Sequence, residues 1–193
     1  MATQQALSWG YFDPSPVPDV ATGQTVSFMC KLVDRSAKSP VVQACAQDAV
    51  QSFGPLGAYN PTATIAQPGD TGSSGYKARA VYWWVRYHVG RLHHDEFKAT
   101  VQAFPEKKQL LIAPDALLVE AQPAGDCSAF TMAVCALLKC LGVPYEMVAV
   151  ATNANDPAIF THVYPRAVLE GGARLPLDAH AGDWPGWEAP NSP

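Results

Sequence analysis

Apolar residues recur at helical spacing after position 127. They form a stripe made of Phe130, Val134, Leu137, Leu138 and Leu141. A polar loop ending in Gly125-Asp126 precedes the stripe, so Asp126 is expected to cap the helix by accepting from a first-turn N–H group. Gly142 and Pro144 end the pattern. The sequence therefore predicts an internal helix with Cys127 as its first residue, where the positive end of the helix dipole stabilises a thiolate.

The chain before this helix reads as mainly helical. Helices are predicted at Ser39–Phe53 and at Lys77–Val89, where Tyr82 and Trp83 are expected to lie off the apolar face. The segment Thr25–Leu32 reads as a short strand, and Met1–Pro18 reads as an irregular arm. Tyr59–Tyr76 is rich in Pro, Gly, Ser and Thr without a sustained period, which is typical of a lid or a disordered segment.

The chain after this helix alternates with period two. Strands are predicted at Tyr145–Thr152 and Phe160–Tyr164, and Pro165 indicates an edge position or a bulge. A hairpin turning at Gly171-Gly172 follows, and residues 180–193 read as an irregular tail. Helices segregated from strands indicate the α+β class, with the central cysteine helix packed on an antiparallel β-sheet.

Composition and charge exclude several classes of protein. The chain has 193 residues with 48% apolar content, which suits one compact domain: residues 1–76 as an N-terminal extension and 77–193 as the core. Its net charge is −4 and its basic residues are scattered, so no nucleic-acid partner is expected. No apolar run reaches the roughly 20 residues that span a bilayer, and no secretory signal is visible, which indicates a cytoplasmic protein. The oligomeric state is left open.

The five cysteines form no CxxC pair, and their odd number argues against a disulfide framework or a zinc knuckle. We expect free thiols in a reducing compartment, with no catalytic part for any cysteine other than Cys127. The run His93-His94-Asp95-Glu96 resembles a metal-binding sequence. However, consecutive helical residues point in different directions, so a solvated helix start is the simpler interpretation. No cofactor is expected.

Two residues after Cys127 could complete a nucleophilic site. His162 follows Cys127 by 35 positions on a predicted strand, and Asp178 follows His162 by 16 positions at the end of the hairpin. Adjacent antiparallel strands can bring such residues side by side. A cysteine nucleophile needs a base, and the base needs an acceptor that orients its second ring nitrogen. Spacing alone leaves open that His162 is an ordinary structural histidine.

The chain resembles the transglutaminase-like superfamily, whose papain-related core carries a Cys–His–Asp triad, and in particular its short bacterial and phage-encoded members. The resemblance covers roughly Lys77–Ala179. The matching segments are Gln109–Leu118, Gly125-Asp126-Cys127, the helix Phe130–Leu141, Leu141-Gly142-Val143-Pro144 leading into Tyr145–Val150, Thr161-His162-Val163-Tyr164, and Leu175-Pro176-Leu177-Asp178-Ala179. Ser128-Ala129 stands where many members have acidic residues. The resemblance implies a catalytic core with Cys127 as nucleophile, His162 as base and Asp178 as orienting group.

The implied chemistry is acyl transfer from a peptide or amide substrate through a thioester. The backbone N–H of Cys127 is a natural oxyanion donor, and Gln122 could supply a second, although a solvated loop side chain is the commoner role of such a glutamine. We expect hydrolysis, by a peptidase or amidase, because no calcium-loop pattern and no separate acceptor-binding domain are visible. The alternatives are a protein cross-linking transglutaminase, a non-catalytic interaction or assembly module that retains the fold, and a metal site built from Cys127, His162 and Asp178.

Overall fold

A computed structural model describes residues 9–12, 18–53, 72–91, 109–157 and 159–190, which form a mixed structure of helices and mainly antiparallel strands. The described helices are α1 (Pro18–Ser36), α2 (Pro40–Ser52), α3 (Ser74–His88), α4 (Pro114–Leu117) and α5 (Cys127–Cys140). The strands are β1 (Trp9–Phe12), β2 (Gly90–Arg91), β3 (Gln109–Ile112), β4 (Ala124–Gly125), β5 (Tyr145–Val150), β6 (His162–Val168) and β7 (Arg174–Pro176). A 3₁₀ turn, Glu170–Gly172, joins β6 to β7. The run His93–Glu96 and most of Tyr59–Tyr76 lie outside the described residues.

The helix α5 is the centre of the fold. It packs against α1, α2 and α3, and also against β6. Every residue from Ser128 to Leu138 is buried, so the helix is enclosed well beyond the single stripe that the sequence predicts. Its last turn closes as a Schellman motif, in which Val143 N donates to Leu138 O at 2.9 Å and Gly142 N donates to Lys139 O at 3.1 Å. Gly142 supplies the required positive φ of 70°.

The N-terminal third corrects two sequence expectations. Thr25–Leu32 is not a strand, because it lies inside α1, where Met29, Leu32 and Val33 are buried at helical spacing. The arm Met1–Pro18 is not irregular throughout, since β1 pairs antiparallel with β3 and Trp9 lies opposite Ile112. In both places the deciding contacts are made with distant segments, which override the local pattern.

The predicted helices α2 and α3 are present, with a different start and a wider buried face for α3. It begins at Ser74, three residues before the predicted start, because Ser73 caps it by accepting from Tyr76 N at 3.1 Å. Tyr82 and Trp83 were expected off the apolar face but are buried, at 0% and 8% exposure. They are enclosed because α3 contacts α2, α5 and β6.

The main sheet has three antiparallel strands in the order β5-β6-β7, which contradicts the expectation of an edge or bulged strand at Pro165. β6 is the middle strand, and it begins at His162, two residues after the predicted start. Pro165 O accepts from Leu177 N at 2.8 Å, just beyond the last residue pair that β6 forms with β7. The N–H and C=O groups of a strand residue point to the same side of the strand. The N–H that Pro165 lacks would therefore face β7, at the point where its pairing with β6 ends, so the proline removes no hydrogen bond between β6 and β5.

The predicted hairpin between β6 and β7 is present. It turns through Gly171 and Gly172, whose φ angles of 80° and 82° favour glycine. After Asp178 the chain continues without helix or strand as far as residue 190, as expected for the tail. In the described part of the chain, no helix is both long and apolar enough to cross a membrane.

Candidate active site

Cys127 is the first residue of α5, directly after the predicted cap Asp126. The Asp126 carboxylate accepts from Ser128 N at 3.0 Å and from Ala129 N at 3.1 Å, which confirms the cap. It also accepts from the Ser128 hydroxyl at 2.6 Å. The cap therefore uses the second and third amides of the helix, and the amide of Cys127 is the first-turn donor that the carboxylate does not engage.

Gly125, two residues before the helix begins, is tightly packed. A Cβ atom added there would lie 2.4 Å from the Cβ of Ala129, which no real pair of side chains tolerates. Gly125 also pairs in parallel with Arg91, and Gly90 N donates to Pro123 O at 2.7 Å. These contacts fix the backbone just before Cys127, so the thiol starts from a rigid position.

His162 and Asp178 form a close, buried pair. His162 Nε2 lies 2.6 Å from Asp178 Oδ2, and their side chains are 11% and 1% exposed. His162 is the first residue of β6, and Asp178 follows β7 at the same end of the hairpin. The antiparallel register of β6 and β7 therefore joins two residues that are separated by 16 positions in the sequence.

The Asp178 carboxylate is fixed from its other side as well. Its Oδ1 accepts from Ala181 N at 2.9 Å, while its backbone carbonyl accepts from Gly182 N at 2.8 Å. One oxygen is thus held by the local turn and the other is presented to the imidazole. This is the arrangement expected of a group that orients a histidine.

The environment of His162 favours the imidazolium. Burial alone lowers the pKa of His162, but hydrogen bonds to Asp178 and Cys127 and the negative charges of both groups outweigh that effect and raise it to about 9. Since Asp178 occupies Nε2, the other nitrogen, Nδ1, is the one left for the thiol. At neutral pH the His162 side chain is therefore mainly in its protonated form.

Two further rings lie beside the imidazole. Tyr164 stacks next to it on the same face of β6, at 6.0 Å between centroids. The ring of His180 lies 6.1 Å from that of His162 and meets Phe130 edge-on at 5.2 Å. The sequence places Tyr164 on the face of His162 through its period of two, whereas the position of His180 follows from the turn after Asp178.

The other sequence candidates lie apart from this group. Gln122, the second proposed oxyanion donor, is exposed in the bend before β4. All five cysteines are free thiols, and burial raises the pKa of the four outside the site: Cys30, Cys45, Cys135 and Cys140. Among the residues that the structure describes, no group of three or more His, Cys, Asp or Glu side chains is arranged to hold a metal ion.

Some side chains at the site carry no signal in the sequence. Ser128 could be suspected from its place after the cap. Tyr82 and Arg86 give no such hint, because their contacts to the turn after Asp178 join segments far apart in the chain. His180 gives none either, because it lies in that turn and meets Phe130 and His162 only in the folded protein.

Comparisons with known proteins give little further information. No family model matches the chain, and no curated protein matches it. The chain is similar to a solved structure described as "Crystal structure of a TGase", at 16% sequence identity and a TM-score of 0.44. That similarity covers 84% of this chain and 39% of the other, so the chain spans less than half the length of that protein. A similarity of this strength carries no conclusion about fold or function.

Proposed function

We propose that this protein is a cysteine-dependent acyl-transfer enzyme that hydrolyses an amide bond of a peptide or amide substrate. In this proposal Cys127 is the nucleophile, His162 is the general base and acid, and Asp178 orients the imidazole. The single observation that carries the proposal is the His162 imidazole held 2.6 Å from the buried Asp178 carboxylate, with Cys127, the first residue of a helix, among the groups that raise the pKa of His162.

The reaction would proceed in two halves. The Cys127 sulfur attacks the amide carbonyl carbon, and the resulting oxyanion accepts from the Cys127 N–H at the helix N-terminus. The C–N bond then breaks as His162 gives its proton to the leaving amine, which leaves a thioester on Cys127. In the second half, neutral His162 takes a proton from water, hydroxide adds to the thioester, and the acid leaves as the sulfur departs.

The order of the site-bearing elements also supports a transglutaminase-like or papain-like core. The cysteine begins the central helix, the histidine begins the middle strand and the aspartate follows the hairpin, as in the family that the sequence resembles. A cytoplasmic location is part of the same proposal, because it rests on a thiol that must stay reduced.

The acceptor of the acyl group distinguishes hydrolysis from cross-linking. Water gives a free acid, whereas a primary amine gives a new amide and ammonia as the first product when the substrate is a glutamine side chain. We propose water, and a reaction with a glutamine-containing peptide in the presence and absence of a primary amine tests it by mass spectrometry. A product that carries the amine would replace the hydrolase with the cross-linking enzyme.

Labelling with a panel of acyl electrophiles tests the proposal itself. We expect one fast adduct on Cys127 in the wild type, loss of that adduct in Cys127→Ala, and its retention in Cys140→Ala. Cys140 is a suitable control because it is also half-buried and lies at the opposite end of the same helix. If Cys127 reacts no faster than Cys140 near pH 6, the result favours a non-catalytic interaction module over an enzyme.

A further inference from the structure

The turn that carries Asp178 is held against α3 by two side chains. Tyr82 Oη donates to Gly182 O at 2.9 Å, and Arg86 Nη1 donates to Ala179 O at 3.3 Å. Arg86 Nη2 also binds Asp183 Oδ1 at 2.7 Å. Residues 82 and 86 are four positions apart and so lie on one face of the helix. These two residues of α3 therefore bind the backbone of the following segment at two places: at Ala179, directly after Asp178, and at Gly182.

The opposite side of the turn is equally restricted. A Cβ atom added at Gly182 would lie 2.7 Å from Asp178 O and 2.9 Å from the ring of Trp187. Gly182 N donates to Asp178 O at 2.8 Å, and Ala181 N donates to Asp178 Oδ1 at 2.9 Å. The carboxylate that meets His162 is thus aimed by a turn enclosed between α3 and Trp187.

We propose that Tyr82 and Arg86 are positioning residues for the site, and that they act by fixing the turn of residues 178–183 so that Asp178 stays aimed at His162. The proposal rests on the proposed function, because it assigns these side chains a purpose through the His162–Asp178 pair. Neither side chain is placed on the substrate. Each acts through a backbone carbonyl of the turn, and loss of either would let the Asp178 carboxylate move away from the imidazole.

The charge of each group suits this role. Burial raises the pKa of Tyr82. The negative charges of Asp178 and Asp183 raise it further, whereas the positive charge of Arg86 lowers it. The Tyr82 hydroxyl therefore keeps its proton, and remains a donor, across the neutral range. The titratable groups beside His162 are Cys127, Asp178, Tyr164 and His180. A change in the titration of His162 after a change at Tyr82 must therefore pass through one of these neighbours. Asp178 and His180 both lie on the turn of residues 178–183, and Asp178 is the one that bonds directly to the imidazole.

The chain offers a matched control on the same helix. Tyr76 is also a buried tyrosine of α3, and its hydroxyl also donates to a backbone carbonyl, that of Phe53 at 2.8 Å. That contact ties α3 to the residue that follows α2, and not to the turn of residues 178–183. Tyr82→Phe and Tyr76→Phe therefore remove the same atom from the same kind of bond on one helix.

The experiment measures three quantities in both variants: thermal stability, the pKa of His162 by NMR of labelled imidazole, and the rate of Cys127 alkylation against pH. We expect both variants to lose stability, with the pKa of His162 falling by about half a unit to one unit in Tyr82→Phe and staying at the wild-type value in Tyr76→Phe. The alkylation profile should shift with the pKa. Equal titrations in the two variants would overturn the proposal, since a merely structural hydroxyl affects stability alone.

A second pair covers the case in which Tyr82→Phe does not fold. Arg86→Ala is compared with Arg79→Ala, because Arg79 also lies on α3 but donates to Gly75 O of its own helix at 3.1 Å. The same shift is expected for Arg86→Ala, and an unshifted titration again refutes the role. Failure of the proposed function looks different: the wild type itself would then show a slow Cys127 and a His162 pKa near its ordinary value.

Discussion

Asp178→Asn removes one charge from the centre of the site and leaves its shape almost unchanged. The carboxylate is 1% exposed, with Oδ1 bonded to Ala181 N and Oδ2 bonded to His162 Nε2. An asparagine must keep its oxygen toward the Ala181 N–H, which needs an acceptor, so its NH₂ group would face the imidazole. His162 Nε2 then has to accept, and its proton moves to Nδ1, the nitrogen that must take the proton of the thiol.

The magnitude follows from the pKa of His162. Its rise from 6.5 to about 9 corresponds to roughly 3 kcal/mol in favour of the imidazolium, at about 1.4 kcal/mol per unit. Among the groups that raise this pKa, Asp178 is the largest contributor, ahead of Cys127, so loss of the carboxylate charge should by itself cost on the order of tenfold. The wrong tautomer adds to this loss. In serine triads the same change costs about 10⁴ in kcat, and a thiol depends on its base less, so we expect a loss of roughly 10- to 10³-fold.

The assay is the rate of Cys127 alkylation by iodoacetamide between pH 5 and 10, with circular dichroism to show that the variant is folded. Asp34→Asn is the matched control: it makes the same change in an ion pair of 2.5 Å with Lys139 at the other end of α5, where the carboxylate is 59% exposed. That control should leave the profile unchanged. A folded Asp178→Asn protein with wild-type rates across the whole pH range would remove Asp178 from the site and leave at most a Cys127–His162 pair.

Three further predictions concern stability. Because the pKa of His162 is raised from 6.5 to about 9, the folded state holds more protons than the unfolded state between these values. The stabilising contribution of His162 should therefore be complete below about pH 6.5 and lost by about pH 9. Urea unfolding at pH 6, 7.5 and 9.5 should show that the difference in unfolding free energy between wild type and His162→Gln shrinks as the pH rises. A constant difference would contradict the assigned pKa. Gly125→Ala should cost about 1–3 kcal/mol through the 2.4 Å contact with Ala129, whereas Gly23→Ala in α1, with nothing within 4 Å, should gain up to about 1 kcal/mol; similar unfolding free energies for the two would refute the packing argument. Asp126→Ala should lower the unfolding free energy by about 1–2 kcal/mol through loss of the cap, measured by the same unfolding, and an unchanged midpoint would show that the cap is dispensable.

The sequence determines the cysteine helix because all its signals are local. Asp126 as cap, Gly142 as the left-handed residue and the apolar stripe each act within a few positions, and the helix begins and ends where they predict. The hairpin after β6 is equally local, since its two glycines adopt the positive φ angles of the turn. These features could be read without any knowledge of tertiary contacts.

The tertiary structure alone decides the features that depend on distant partners. Thr25–Leu32 reads as a strand because Thr25 and Val26 are β-branched, yet the buried face of Met29 and Val33 against the central helix makes it helical. β1 exists only through β3, about 100 positions later in the chain. No local pattern contains such a partner.

The candidate site divides in the same way. The residue types of Cys127, His162 and Asp178 and their order can be read from the sequence, whereas the 2.6 Å contact of His162 with Asp178 depends on the register of β6 and β7. The hydrogen bond from Tyr82 to Gly182 joins residues 100 positions apart, and no pattern in the sequence predicts it. Short-range signals fix where helices and turns form, because their energies arise between neighbours in the chain. The orientation of a reacting group is set by packing between segments that meet only in the folded protein.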